Sequence, residues 1–356
     1  MNRSTPALAR LHRLAPALTL LAALALAACT PESSQEAAPV AAGPAPAPSL
    51  VLYSGQHEGM ANALAEAFTR DTGIEMQVRS GKDGALANQI IEEGARSQAD
   101  VFITEEPGPI GDLARRGLLL PVPAATLAKA ASGFAPADGS WLPWAARSRV
   151  YFYNPELIAE ADLPASILDL GKPEWKGRFA YAPSGAFRST TGYLINRIGP
   201  EATLAWLTAI RENGINEQKN GKVRDSVEAG QHAFGLSNHY YWYILARSAG
   251  GADKVTSRVH FLNSEDPGAL MLASGAGVLA SSRQPEAAQQ FLDWLVSPEG
   301  GQKIVAENSP QFPLNPEVES GYGLPSIKDL SFPHFDQGEL DNVDAASELL
   351  KRAGLI

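Results

Sequence analysis

Residues 49–106 read SLVLYSGQHEGMANALAEAFTRDTGIEMQVRSGKDGALANQIIEEGARSQADVFITEE. The apolar run 49–54 stops at Gly55, as a strand does at a turn. Residues 60–72 place Leu64 and Phe68 at helical spacing and end at Gly73, a helix with a glycine stop. Residues 74–78 form the next strand, 84–94 the next helix, and 99–104 a third strand that delivers Glu105 and Glu106 at its carboxyl end. Strands and helices alternating at this spacing predict right-handed βαβ units, an α/β class and a mainly parallel sheet. Ligands of such sheets sit beyond the carboxyl ends of the strands. His57 and Glu105 both fall there, although a single loop histidine or glutamate often does nothing in particular.

Further along, residues 141–153 read as a long strand leaving a first lobe, and 267–273 as a second strand passing between lobes. A strand at 179–182 leads into Pro183-Ser184-Gly185-Ala186-Phe187 and a helix over 188–198. Ser184 suits a helix N-cap, and Gly185 lets a ligand approach the backbone. The free N–H groups of Gly185, Ala186 and Phe187 could then hold an anion, though plain helix capping explains the same pattern. The remaining elements are helices at 202–211, 226–230, 285–295, 297–308 and 344–353, with strands at 233–237 and 277–281. Asn220 lies in a glycine-containing turn before the helix at 226–230.

Residues 237–243, SNHYYWY, carry the most unusual chemistry. Adjacent tyrosines are poor core material, because each buried hydroxyl needs a partner, but they suit a hard, oxygen-seeking cation. A helix over 240–249, with Asn238 available as its cap, puts Tyr240 and Tyr241 in the first turn. Their side chains diverge by about 100°, yet both can reach one point beyond the strand ends. In a strand they would face opposite sides. An aromatic core stripe is the competing reading, and Trp242 and Tyr243 fit it.

The chain has 356 residues, 45% hydrophobic and 19% charged, enough for a large core and more than one domain. Its single cysteine, Cys29, excludes a disulfide framework and a cysteine metal site. Arg3, Arg10 and Arg13 precede an apolar run at 18–28 that ends Leu26-Ala27-Ala28-Cys29. This resembles a bacterial lipoprotein signal over 1–28, with Cys29 lipidated and residues 29–49, rich in Pro, Ala and Ser, as a tether. Losing the leader's three arginines leaves 26 basic against 39 acidic residues, a net charge of −13. So acidic a surface argues against nucleic acid as a partner and suits a cationic cargo.

Eight motifs in order resemble one family: YSGQH at 53–57, ADVFITE at 99–105, ARSRVYFYN at 146–154, PSGAF at 183–187, NHYYWY at 238–243, DPGAL at 266–270, SGAGVL at 274–279 and FPLNP at 312–316. The chain is similar over residues 50–356 to the periplasmic ferric-ion-binding proteins, the bacterial transferrins, of the ABC-transporter substrate-binding class. The resemblance implies a two-lobe periplasmic-binding-protein (type II) fold with two interlobe crossovers. Residues 50–147 with 272–321 would form the N-lobe, and 148–271 with 322–356 the C-lobe. It implies His57, Glu105, Tyr240 and Tyr241 as ligands of Fe³⁺, and Ser184, Gly185, Ala186, Asn220 and Asn238 as the seat of a synergistic anion such as phosphate. It also implies a monomeric, lipid-anchored periplasmic carrier, not an enzyme, that serves an inner-membrane ABC permease and its ATPase. Hard Fe³⁺ prefers phenolate and carboxylate to thiolate, and its charge drives loss of the phenol protons.

Three departures matter. His239 stands where relatives often have asparagine, and could tune the phenolates or cap the helix. Glu58 occupies the place where a second, anion-independent branch puts a tyrosine. Glu106 is a neighbouring carboxylate able to substitute for Glu105. Two other functions compete: the same fold with phosphonate, polyamine or thiamine as cargo, or a tethered hydrolase using Ser184 or a metal-activated water with His57. The tandem tyrosines speak against the first, and the absence of a nucleophile elbow or HExxH spacing against the second.

Overall fold

The computed structural model describes residues 49–262 and 266–356. The leader, Cys29 and the tether up to residue 48 lie outside the described residues. In chain order the first elements are β1 (Ser49–Ser54), α1 (Glu58–Thr72), β2 (Glu75–Ser80), α2 (Asp83–Glu93), β3 (Val101–Ile103), α3 (Pro107–Arg115) and α4 (Ala124–Leu127). The middle of the chain forms β4 (Leu142–Tyr153), β5 (Phe179–Tyr181), α5 (Gly185–Ile198), α6 (Pro200–Asn213), β6 (Ile215–Asn216), α7 (Asn220–Glu228), β7 (Phe234–Asn238) and α8 (Tyr240–Ala249). The last part forms β8 (Arg258–Phe261), β9 (Met271–Val278), α9 (Pro285–Leu295), α10 (Gly301–Asn308), β10 (Phe312–Pro313) and α11 (Val343–Arg352).

The strands run in the order β2-β1-β3-β9-β4-β7-β5-β6, with β8 and β10 also pairing to β4. Pairing is parallel at both ends: β1 with β2 and β3, and β5 with β6 and β7. It is antiparallel through the middle, where β9 and β4 run. β4 is buried along all 12 residues. Its first part, Leu142–Ser148, pairs with β9, and its second, Arg149–Tyr153, with β7.

Alternation along the strands builds a core on each face. Leu50, Leu52, Val101 and Ile103 meet Leu64 and Phe68 of α1 and Phe291 and Leu292 of α9, while Tyr53 and Phe102 meet Leu86 and Ile90 of α2 and Leu113 of α3. At the other end Tyr151, Phe179, Tyr181 and Phe234 pack on Phe187 of α5, Leu207 of α6 and Leu349 of α11. Val150 and Phe152 face Trp242, Tyr243 and Ala246 of α8. The chain after Gly321 stays on the first core, with Leu324, Ile327, Leu330 and Phe332 packed there, before Phe335 reaches Tyr193 of α5.

Several boundaries differ from the sequence expectation. β9 is one strand where 267–273 and 277–281 read as two: Gly275 and Gly277 lie inside it, where Ile110, Trp141 and Leu119 press against the backbone. α7 begins at Asn220 rather than 226, because Val223 and Val227 are buried and anchor a helix whose first turn tolerates Gly221. α10 begins at Gly301, and α3 and β8 were not anticipated.

Candidate metal centre

Every residue expected at the site lies at the carboxyl end of a strand or in the helix that follows. His57 ends the turn after β1, at the N-cap of α1, and Glu105 follows β3. Tyr240 and Tyr241 open α8 directly after β7, whose last residue is Asn238. Ser184 is the N-cap of α5, Gly185 and Ala186 form its first turn, and Asn220 opens α7. All nine line one cavity of about 620 Å³.

Within it the Tyr240 hydroxyl donates to Glu105 Oε1 at 3.0 Å, and His57 Nε2 stands 3.8 Å from the same oxygen. The Tyr240 and Tyr241 rings lie 4.4 Å apart and 31° from parallel. Donors cis to one another on an octahedral hard cation with ~2.1 Å bonds stand about 3.0 Å apart, so the Tyr240–Glu105 edge already has that length. Among the described residues no three or more His, Cys, Asp or Glu side chains are grouped so that they alone could hold a metal ion. A metal in this cleft therefore has to draw on the phenols.

Burial, reinforced by Glu105, pushes the Tyr240 phenol well above its ordinary value, and burial also raises Tyr241. Both hydroxyls keep their protons until a strong local positive charge displaces them. His57 is exposed, with 62% of its side chain open, and so sits at the mouth.

The seat around α5 is equally specific. Ser184 makes no side-chain cap to its own helix; its Oγ accepts from Asn220 Nδ2 at 3.1 Å. Among the described residues, the amides of Gly185, Ala186 and Phe187 meet no backbone or side-chain acceptor. Asn238 Oδ1 accepts from Arg149 Nη1 at 2.7 Å. Asn238 closes β7 and does not cap α8; His239 holds the cap position, without a side-chain cap bond.

Sequence reasoning missed four residues behind these. Asp83 accepts the backbone N–H of Glu105 at 3.1 Å and of Glu106 at 2.9 Å, tying down the turn that carries Glu105. Burial and then Glu105 push its carboxyl up to about 7. Gly55 makes room for it: a Cβ there would lie 1.5 Å from Asp83 Oδ1. Arg147 and Arg149 are fully buried on one face of β4, and burial lowers Arg149 to about 10. Two basic residues inside a strand buried along its whole length were the visible signal. Glu106, 8% exposed, pairs through Oε2 with Arg147 Nη2 at 2.9 Å and accepts from Ser189 Oγ at 2.7 Å. Its Oε2 is thus committed to Arg147 and Ser189.

His239 neither caps the helix nor faces the cavity. It is buried, its Nδ1 accepts from the Ser148 amide at 3.1 Å, and its ring stacks on Phe312 at 4.7 Å. Trp242 and Tyr243 are core, as expected, with Trp242 Nε1 donating to Ser257 O at 3.0 Å.

The family model for bacterial extracellular solute-binding proteins matches residues 54–302. The Fe(3+)-binding periplasmic protein of Serratia marcescens is 38% identical over 308 residues, covering 86% of this chain and 90% of that one. The major ferric iron-binding protein of Neisseria meningitidis is 39% identical over 322 residues, covering 90% and 96%. Among solved structures, iron-bound HitA from Pseudomonas aeruginosa superposes with a TM-score of 0.80 at 40% identity, over 86% of this chain and all of that one. A Trichodesmium protein in complex with iron and citrate ligands gives 0.75 at 28% identity, with the same coverage.

Proposed function

The chain belongs to the bacterial extracellular solute-binding protein family, among its ferric-iron-binding periplasmic members, and from that premise we propose that it captures Fe³⁺ in the periplasm. That family binds and delivers solutes and performs no turnover. Tyr240, Tyr241 and Glu105 supply three anionic oxygens that offset the +3 charge, and His57 closes the mouth. A phosphate or similar anion bridges from the amides of Gly185 and Ala186, with Ser184, Asn220 and Asn238 around it. Residues 50–147 with 272–321 act as one lobe and 148–271 with 322–356 as the other, the stretch 324–332 lying back against the first lobe's core. The tyrosines bind iron first from the second lobe, and closure brings His57 and Glu105. The loaded protein, a monomer held to the membrane through a lipidated Cys29, then hands iron to an inner-membrane ABC permease driven by its ATPase.

The observation that carries this reading is the Tyr240 hydroxyl at 3.0 Å from Glu105 Oε1, a phenol and a carboxylate meeting across a cleft between strand ends. Hard oxygen donors of this kind select a hard trivalent ion over zinc or copper(I). Iron titration in phosphate tests it. The wild-type protein should develop a visible tyrosinate-to-iron charge-transfer band, and Tyr240→Phe and Tyr241→Phe should each lose most of it. A colourless wild-type protein that holds ferric ion no better than either variant would sink the assignment.

A further inference from the structure

Glu106 presents a feature that an anion seat alone does not require. Its Oε2 is taken by Arg147 and Ser189, but its Oε1 has no partner among the described residues. Glu106 lines the same cavity as Ser184, Gly185 and Ala186. Its Oε1 and Cγ each lie 3.1 Å from the point where a Cβ on Gly185 would stand. Glu106 as a residue is 8% exposed, and its Oε1 stands beside Gly185, where the free amides open α5. An ordinary anion site has donors only, and a lone carboxylate oxygen there would repel its ligand.

We infer that the seat is built for a protonated oxyanion, with Glu106 Oε1 accepting the anion's own O–H while the α5 amides and Asn220 hold its bare oxygens. Hydrogen phosphate, hydrogen arsenate and hydrogencarbonate have such a proton at neutral pH. Sulfate has none, and its oxygens would face Glu106 acceptor to acceptor. Arg147 keeps the carboxylate in place from behind, at 2.9 Å, and Ser189 fixes its rotation, so the free oxygen cannot simply turn away. Asn220 Oδ1, buried and without a partner, offers a second acceptor to the same proton. The inference rests on the anion part of the proposed function and specifies which anions serve it.

The test compares phosphate, arsenate and sulfate on the full chain in two ways: calorimetric binding to metal-free protein, and retention of ferric ion against a competing chelator. Phosphate and arsenate should be preferred to sulfate by about 30-fold, in keeping with the cost of a buried acceptor left unpaired. Glu106→Gln should bring that ratio to within about threefold. Its amide oxygen is drawn to Arg147 and Ser189, which turns the –NH₂ donor toward the seat and admits sulfate. Equal use of sulfate and phosphate by the wild-type protein would overturn the inference, and so would full discrimination surviving in a folded Glu106→Gln. The wild-type comparison stands without any variant. If no anion binds or affects iron retention, the anion part of the proposed function falls with it. If anions bind without discrimination, only the inference falls.

Discussion

At the scale of single residues, the cleft is organised by groups that do not themselves face the ion. Asp83 holds two consecutive amides of the turn carrying Glu105, and Gly55 leaves the space it fills. Asp83→Ala leaves two amides without an acceptor. Each unpaired buried group costs about 1–3 kcal/mol, and a loosened Glu105 should release iron to a chelator roughly tenfold faster. The charge-transfer band, a property of the tyrosines, should keep its position. A shifted band with unchanged release would remove Asp83 from this role. His239 gives a pH signature. Burial lowers it from 6.5 to about 3, so the unfolded chain takes up a proton that the folded chain refuses. Its contribution to stability is present above about 6.5 and is lost as pH falls toward 3. Melting curves over that range should show the loss, and His239→Gln should flatten it.

At the scale of elements, helix starts line the proposed site. α1, α5, α7 and α8 all begin directly beyond strand ends, so their first turns converge on one space. The two readings of Ser184 separate here. A side-chain N-cap changed to alanine costs about 1 kcal/mol of helix stability. Ser184 makes no such bond in α5 and instead positions Asn220. Ser184→Ala should therefore leave the melting temperature nearly unchanged and weaken phosphate binding about tenfold, a loss of one hydrogen bond to a charged group. A clear drop in stability with normal phosphate affinity would restore simple capping.

At the scale of the whole molecule, β4 runs from the first core, where it pairs with β9, into the second, where it pairs with β7, so binding at the cleft is felt by both. With ligand at a thousandfold excess over its dissociation constant, linkage adds about 4 kcal/mol to stability. For a domain above 200 residues each kcal/mol moves the midpoint by about 2 °C. Iron with phosphate should then raise a single unfolding transition by about 8 °C or more. Calorimetry showing two transitions, with only one moved by iron, would contradict a joined core.

Much of this could be read from the chain directly, and the reasons are local. Periodicity, glycine stops and strand–helix alternation are properties of a few neighbouring residues, so the α/β class and the βαβ order over 49–106 were legible. So were the positions of His57, Glu105, Tyr240 and Tyr241 at strand ends. The unity of β9, the true start of α7 and the burial of His239 were not, because each depends on what packs from elsewhere: Ile110 and Leu119 on β9's glycines, Ala180 beside Val223, Phe312 on the imidazole. The same holds for charge. Sequence showed two arginines in a long strand and two adjacent glutamates. Only folding assigned Glu106 to Arg147 and left Glu105 toward Tyr240, because a buried charge takes its role from the partner that compensates it, and that partner lies far along the chain.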